Sequence, residues 1–112
     1  MNAPAVINDR RRRALVNPPT QEAEGGTVTR LPTRAQVQAA HGAVLKSLRQ
    51  GTTDLSQEKL AEKSETDPSY VSLLEKGERC PSLWLFTKLA MALDTDPALM
   101  LSMTLARLRG EI

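Results

Sequence analysis

Between Gln57 and Glu75 the small and apolar residues fall at intervals that few folds accommodate. Counting Gln57 as the first position, Leu60 and Ala61 come fourth and fifth, Ser64 eighth, Val71 fifteenth and Leu74 eighteenth. Both halves of the stretch carry a helix start. Ser56 precedes Gln57, Glu58 and Lys59, and its hydroxyl can accept from a first-turn amide of a short helix that ends near Lys63. Asp67 offers the same service to a following helix, and Pro68 suits the first helical position because the N–H it lacks has no partner there. Where two such helices cross at a steep angle, only a small side chain fits at the point where they nearly touch. Ala61 is that side chain, and Val71 and Leu74 anchor the second helix from beneath.

The flanking sequence adds helices of the same kind. Thr33 followed by Gln36 has the form of a capping box, and Val37, Ala40, Val44, Leu45 and Leu48 then make one apolar stripe, with Gly51 expected to stop the helix. Gly77 is expected to end the helix that starts at Asp67. Ser82, after Pro81, caps a helix carrying Leu85, Phe86, Leu89, Ala90 and Leu93, and Asp96-Pro97 opens a last one that runs to about Arg109. The expectation is an all-α domain of about five helices over residues 33–112, with no strand.

Residues 1–32 differ in kind. They are rich in Pro, Gly, Thr, Asn and Glu, hold no sustained period, and are expected to be a largely disordered leader. The formal charge of +2 resides entirely in this leader, because ten basic and ten acidic residues balance from Arg34 onward. Arg10, Arg11, Arg12 and Arg13 read in three ways: an arm that grips phosphates or enters a minor groove, a solvated tail, or a contact for a protein partner. A single cysteine, Cys80, excludes an internal disulfide and a multi-cysteine metal site. His41, beside the apolar stripe, is a structural or surface histidine rather than a ligand, so neither metal nor cofactor is expected. With no paired histidine and carboxylate, no glycine-rich phosphate loop and no signal peptide or apolar span, the chain is expected to be a non-enzymatic protein of the cytoplasm.

The steep crossing and the exposed second helix are those of a helix-turn-helix, whose second helix reads a major groove. The runs Leu55-Ser56-Gln57-Glu58-Lys59-Leu60-Ala61, Tyr70-Val71-Ser72-Leu73-Leu74-Glu75-Lys76-Gly77, Pro81-Ser82-Leu83 and Leu89-Ala90-Met91-Ala92-Leu93 resemble the signature of the Cro and lambda-repressor-like (XRE) family over roughly Val37 to Leu101. The resemblance implies a five-helix domain that binds operator DNA, usually as a dimer, to regulate transcription. It puts base-reading positions on Pro68, Ser69, Ser72 and Leu73, and phosphate contacts on Gln57, beside the helix start at Ser56, and on Lys76 and Arg79. Glu75 is expected to be structural, bonding back to the loop. Glu65 and Asp94 stand where the family usually has glycine, and Thr66 where it has an apolar plug.

Two further features bear on partners. The reading face lacks the Arg, Lys, Asn or Gln that make bidentate base contacts, which implies sparing specificity resting on hydroxyls, methyl contacts and DNA shape. The last helix carries more apolar residues than one face can bury in so small a domain, so Leu99, Met100, Met103, Leu105 and Leu108 are expected at a homodimer interface. The competing reading is a protein-binding adaptor or antitoxin-like module that keeps the helix-turn-helix fold and binds a partner through the leader or the last helix.

Overall fold

Each helix begins on the side chain that the sequence offers for it. In the computed structural model, which describes residues 30–112, the amide of Gln36 donates to Thr33 Oγ1 (3.1 Å) and the amide of Thr33 to Gln36 Oε1 (2.8 Å), closing the capping box of α1, Arg34–Leu48. Ser56 caps α2, Gln57–Ser64; Asp67 caps α3, Pro68–Glu75; Ser82 caps α4, Leu83–Ala92; and Asp96 caps α5, Pro97–Leu108. Five α-helices and no strand make up the described residues, as the all-α reading requires. All of the leader expected to be disordered except residues 30–32, and with it Arg10, Arg11, Arg12 and Arg13, lies outside the described residues.

The first helix does not stop at Gly51. It widens into a π-helical turn, Arg49–Thr53, that contains Gly51 and closes only at Asp54, which adopts φ +57°. The amide of Leu55 and the hydroxyl of Thr53 both donate to the Arg49 carbonyl, at 3.1 Å each, so the turn is gathered on one acceptor. A local glycine signal could not anticipate this, because the residue that organises the turn is Arg49, tied to a distant helix.

The other helices end alike. After α2, α3, α4 and α5 a residue with positive φ turns the chain, and the next amide reaches back to a carbonyl five residues earlier: Thr66 to Ala61, Glu78 to Leu73, Thr95 to Ala90 and Glu111 to Ala106. This is the Schellman closure, which favours glycine at the turning residue. Gly77 and Gly110 supply it after α3 and α5, whereas Glu65 and Asp94 adopt φ +58° and +55° in its place.

The core lies where α1 packs on α3 and α5, α2 on α3 and α4, and α4 on α5. Leu45, Leu60, Val71, Leu74, Leu89, Leu93 and Met100 are fully buried there. Met100 therefore corrects the dimer-face expectation: it points into the protein's own core and has no surface to offer a partner. Gly42 sets the approach of α1 to α3, since a Cβ on it would meet the carbonyl oxygens of Leu74 and Glu75, the latter at 2.8 Å.

Candidate nucleic-acid interface

The α2–α3 pair has the geometry its spacing demands. Ala61 is 1% exposed at the crossing, and Val71 and Leu74 are fully buried beneath α3. The opposite side of α3 faces outward. Pro68 and Ser69 are exposed and Ser72 and Leu73 half-buried, and the intervals of three and four residues among them bring these positions onto one face. The hydroxyl of Ser69 donates to Asp67 Oδ1 (3.1 Å), which also accepts from the Ser69 amide (3.1 Å). Ser69 thus helps cap its own helix and keeps its lone pairs for a donor.

The flanks of this face carry the other positions singled out by sequence. Ser56 is exposed, its Oγ accepting from the Lys59 amide at 3.0 Å, so its first role is to start α2. Lys76, the C-cap of α3, and Arg79 are both exposed, and Arg79 Nη1 donates to the neighbouring Glu78 carbonyl (2.9 Å). Acidic residues share the neighbourhood. Lys59 pairs with Glu62 at 3.7 Å and Lys88 with Glu65 at 3.9 Å, contacts too exposed on at least one side to contribute much.

Gln57 and Glu75 form a unit that sequence spacing did not reveal. Glu75, with its side chain only 3% exposed, accepts two hydrogen bonds from Arg49, Nε to Oε2 at 2.6 Å and Nη2 to Oε1 at 2.9 Å. Gln57 Nε2 adds a third, to Oε1 at 2.9 Å. Arg49 Nη1 meanwhile donates to the Leu55 carbonyl (2.8 Å), tying the π turn, the start of α2 and the end of α3 into one network. Hydrogen bonding to Glu75 raises the Arg49 guanidinium above its ordinary range despite the opposing effect of burial. Glu75 is structural, as the sequence suggests, but its partners are Arg49 and Gln57 rather than the loop that follows α3. The Gln57 amide group presents to solvent only what Glu75 leaves it.

Arg49 was not singled out by sequence because its partner is 26 residues away. The nearest signal is an arginine that falls on the buried side of the chain just past the α1 stripe. On α5, Leu99, Leu101 and Leu105 are 53%, 48% and 40% exposed, and Met103 and Leu108 are half-buried. Among the described residues no group of three or more histidine, cysteine, aspartate or glutamate side chains could hold a metal, and no helix is long and apolar enough to cross a membrane.

Comparison with known proteins agrees with this geometry. A family model described as helix-turn-helix matches residues 45–100. The chain is similar to the restriction-modification controller protein C.AhdI from Aeromonas hydrophila, with 43% identity and a TM-score of 0.54 over 56% of this chain and 94% of that one. It is similar to the clp gene regulator ClgR from Corynebacterium glutamicum, with 30% identity and a TM-score of 0.61 over 65% of this chain and 77% of that one. The restriction-modification controller protein C.Esp1396I, at 22% identity and a TM-score of 0.59 over 64% of this chain and 91% of that one, shares the fold. No curated protein sequence matches.

Proposed function

Because this chain belongs to the helix-turn-helix family of the XRE type, we propose that it is a DNA-binding transcriptional regulator that inserts α3 into a major groove and binds an inverted-repeat operator as a homodimer. The observation that carries the reading is the two-sidedness of α3: Val71 and Leu74 are fully buried on its underside, while Ser69, Ser72 and Leu73 line its outer face, with the exposed Lys76 and Arg79 following at its C-terminal end. C.AhdI is a controller protein and ClgR a gene regulator, and both similarities favour a regulatory role here. No catalysis enters this role, and its place is the cytoplasm, at the nucleoid.

Within it, Ser56 and Gln57 at the start of α2, with Lys76 and Arg79 after α3, take phosphates and fix the register of the protein on the duplex. Pro68, Ser69, Ser72 and Leu73 meet base edges, the hydroxyls by hydrogen bonds and Leu73 by contact with a thymine methyl. Leu99, Met103, Leu105 and Leu108 form the homodimer contact, and residues 1–32 form a separate basic leader whose Arg10 to Arg13 add phosphate contacts. Selection of bound DNA from a random pool, followed by gel shift, tests the assignment. Arg79→Ala weakens binding to every sequence and reduces the salt slope by about 1, whereas Ser69→Ala changes the preferred sequence. A protein for which neither substitution matters does not use this face.

A further inference from the structure

We infer that Glu75 is a positioning residue for DNA binding: without itself touching DNA, it fixes the Gln57 side-chain amide so that a donor remains for a backbone phosphate. The inference rests on the DNA-binding reading above, in which Gln57 takes a phosphate. A primary amide has two ends of nearly the same shape, one that donates and one that accepts. A phosphate oxygen only accepts, so Gln57 serves it in one orientation alone. An unheld glutamine rotates among its rotamers and offers either end.

Glu75 removes that freedom. Its carboxylate can only accept, so the Nε2 end of Gln57 must face it, and Nε2 donates to Oε1 at 2.9 Å. One of the two Nε2 hydrogens is used there, and the second is left for another acceptor. Gln57 is half-buried and the Glu75 side chain only 3% exposed, so Gln57 is the member of the pair within reach of a ligand. A bare carboxylate beneath the contact would repel a phosphate. Arg49 removes that repulsion by donating to both carboxylate oxygens, at 2.6 and 2.9 Å, in a pair without net charge. The Gln57 bond also joins two elements. Gln57 is the first residue of α2 and Glu75 the last of α3, so the phosphate contact is fixed relative to the helix that reads bases.

A double-mutant cycle on the full chain tests this with a random-sequence DNA duplex, since a phosphate contact does not depend on sequence. One arm is Gln57→Ala. The other is Arg49→Met with Glu75→Leu, which removes the tie while leaving Gln57 and the net charge unchanged. In the natural chain Gln57→Ala is expected to weaken binding about fivefold, the effect of one net hydrogen bond, at unchanged salt slope because the amide is neutral. In the doubly substituted background the same change is expected to weaken binding by less than about twofold. A merely structural Glu75 would leave the Gln57→Ala effect equal in both backgrounds, and that result overturns the inference. If the doubly substituted chain does not fold, the side-chain amide resonances of Gln57 in the natural chain decide the matter. On addition of the duplex one Nε2 proton is expected to shift while the other, held by Glu75, keeps its position. Equal movement of both overturns the inference, because Gln57 then leaves Glu75 when it binds. A natural chain that binds no duplex overturns the proposed function as well, whereas one that binds but is indifferent to Gln57→Ala overturns this inference alone.

Discussion

Arg49 and Glu75 show how a single ion pair can hold a recognition unit in place. Their side chains are 10% and 3% exposed, and every Glu75 hydrogen bond described here goes to Arg49 or Gln57. A pair that has left water so completely gains little over a well-packed apolar pair, but removing one member strands the other as an uncompensated charge. Glu75→Ala is therefore expected to destabilise the domain by about 3 kcal/mol, read as a lower urea midpoint at unchanged m-value, and Arg49→Met combined with Glu75→Leu to restore most of the loss. His41 makes a second prediction of the opposite character. Its pKa falls from 6.5 to about 4 on folding because burial disfavours the charged ring. Above pH 6.5 neither the folded nor the unfolded chain protonates it appreciably, so its full contribution is present there. As pH falls from 6.5 towards 4 the unfolded chain takes up the proton first, and stability is lost. Between pH 7 and pH 5 the loss amounts to about 2 kcal/mol, and urea titrations at the two values should show it in the natural chain and not in His41→Phe. An equal loss in both would assign the acid sensitivity to carboxylates instead.

Helix starts and helix ends differ in how far sequence reveals them. Thr33, Ser56, Asp67, Ser82 and Asp96 all cap helices as their positions suggest, since a cap bonds an amide two or three residues away and needs nothing distant. The α2–α3 crossing was legible for a related reason: Ala61, Val71 and Leu74 are set by the spacing of one short segment. Ends are less local. Gly51 has the residue type of a stop but sits within the π turn, while Glu65 and Asp94, with the wrong residue type for a stop, adopt the left-handed turn all the same. The hydrogen bonds of Thr66 to Ala61 and Thr95 to Ala90 outweigh the strain of a side chain at positive φ, about 1 kcal/mol per residue. Relieving that strain should be visible. Glu65→Gly is expected to stabilise the domain by about 0.5–1 kcal/mol, raising the thermal midpoint, because the Lys88 contact it loses is long and mostly solvent-exposed on the glutamate side. No gain, or a loss, would mean that the Glu65 side chain contributes more than its exposed position indicates. What could not be read of the candidate site was hidden for the same reason as the π turn. The network of Arg49, Gln57 and Glu75, the approach of Gly42 to α3 and the burial of Met100 all depend on elements brought together only by the completed fold.

For the molecule as a whole, the homodimer proposed above makes α5 the element that decides whether one reading helix or two reach the DNA. Met100 and Thr104 occupy its buried face, and an advance of 100° per residue then places Leu101, Leu105 and Leu108 on one flank and Leu99 and Met103 on the other. Apolar side chains left at 40–53% exposure on such flanks are stable in water but gain on association, which a two-fold axis doubles by presenting the same stripe twice. In the proposed function the DNA reading depends on that pairing. Under that proposal a single α3 with two serines and a leucine at the bases would supply little discrimination, whereas two copies about 34 Å apart would bind adjacent half-sites at the effective concentration set by their rigid link. Leu105→Glu places a charge on the exposed flank without entering the core. It is expected to leave helical content and monomer stability nearly unchanged, to convert the protein from dimer to monomer in sedimentation velocity, and to weaken binding to an inverted repeat by about a hundredfold or more while leaving affinity for a single half-site unaltered. Retention of the dimer would move the axis to another surface. Loss of the dimer with no loss of affinity for the inverted repeat would mean that one copy suffices, and that the remaining specificity comes from DNA shape or from the arginines of residues 1–32.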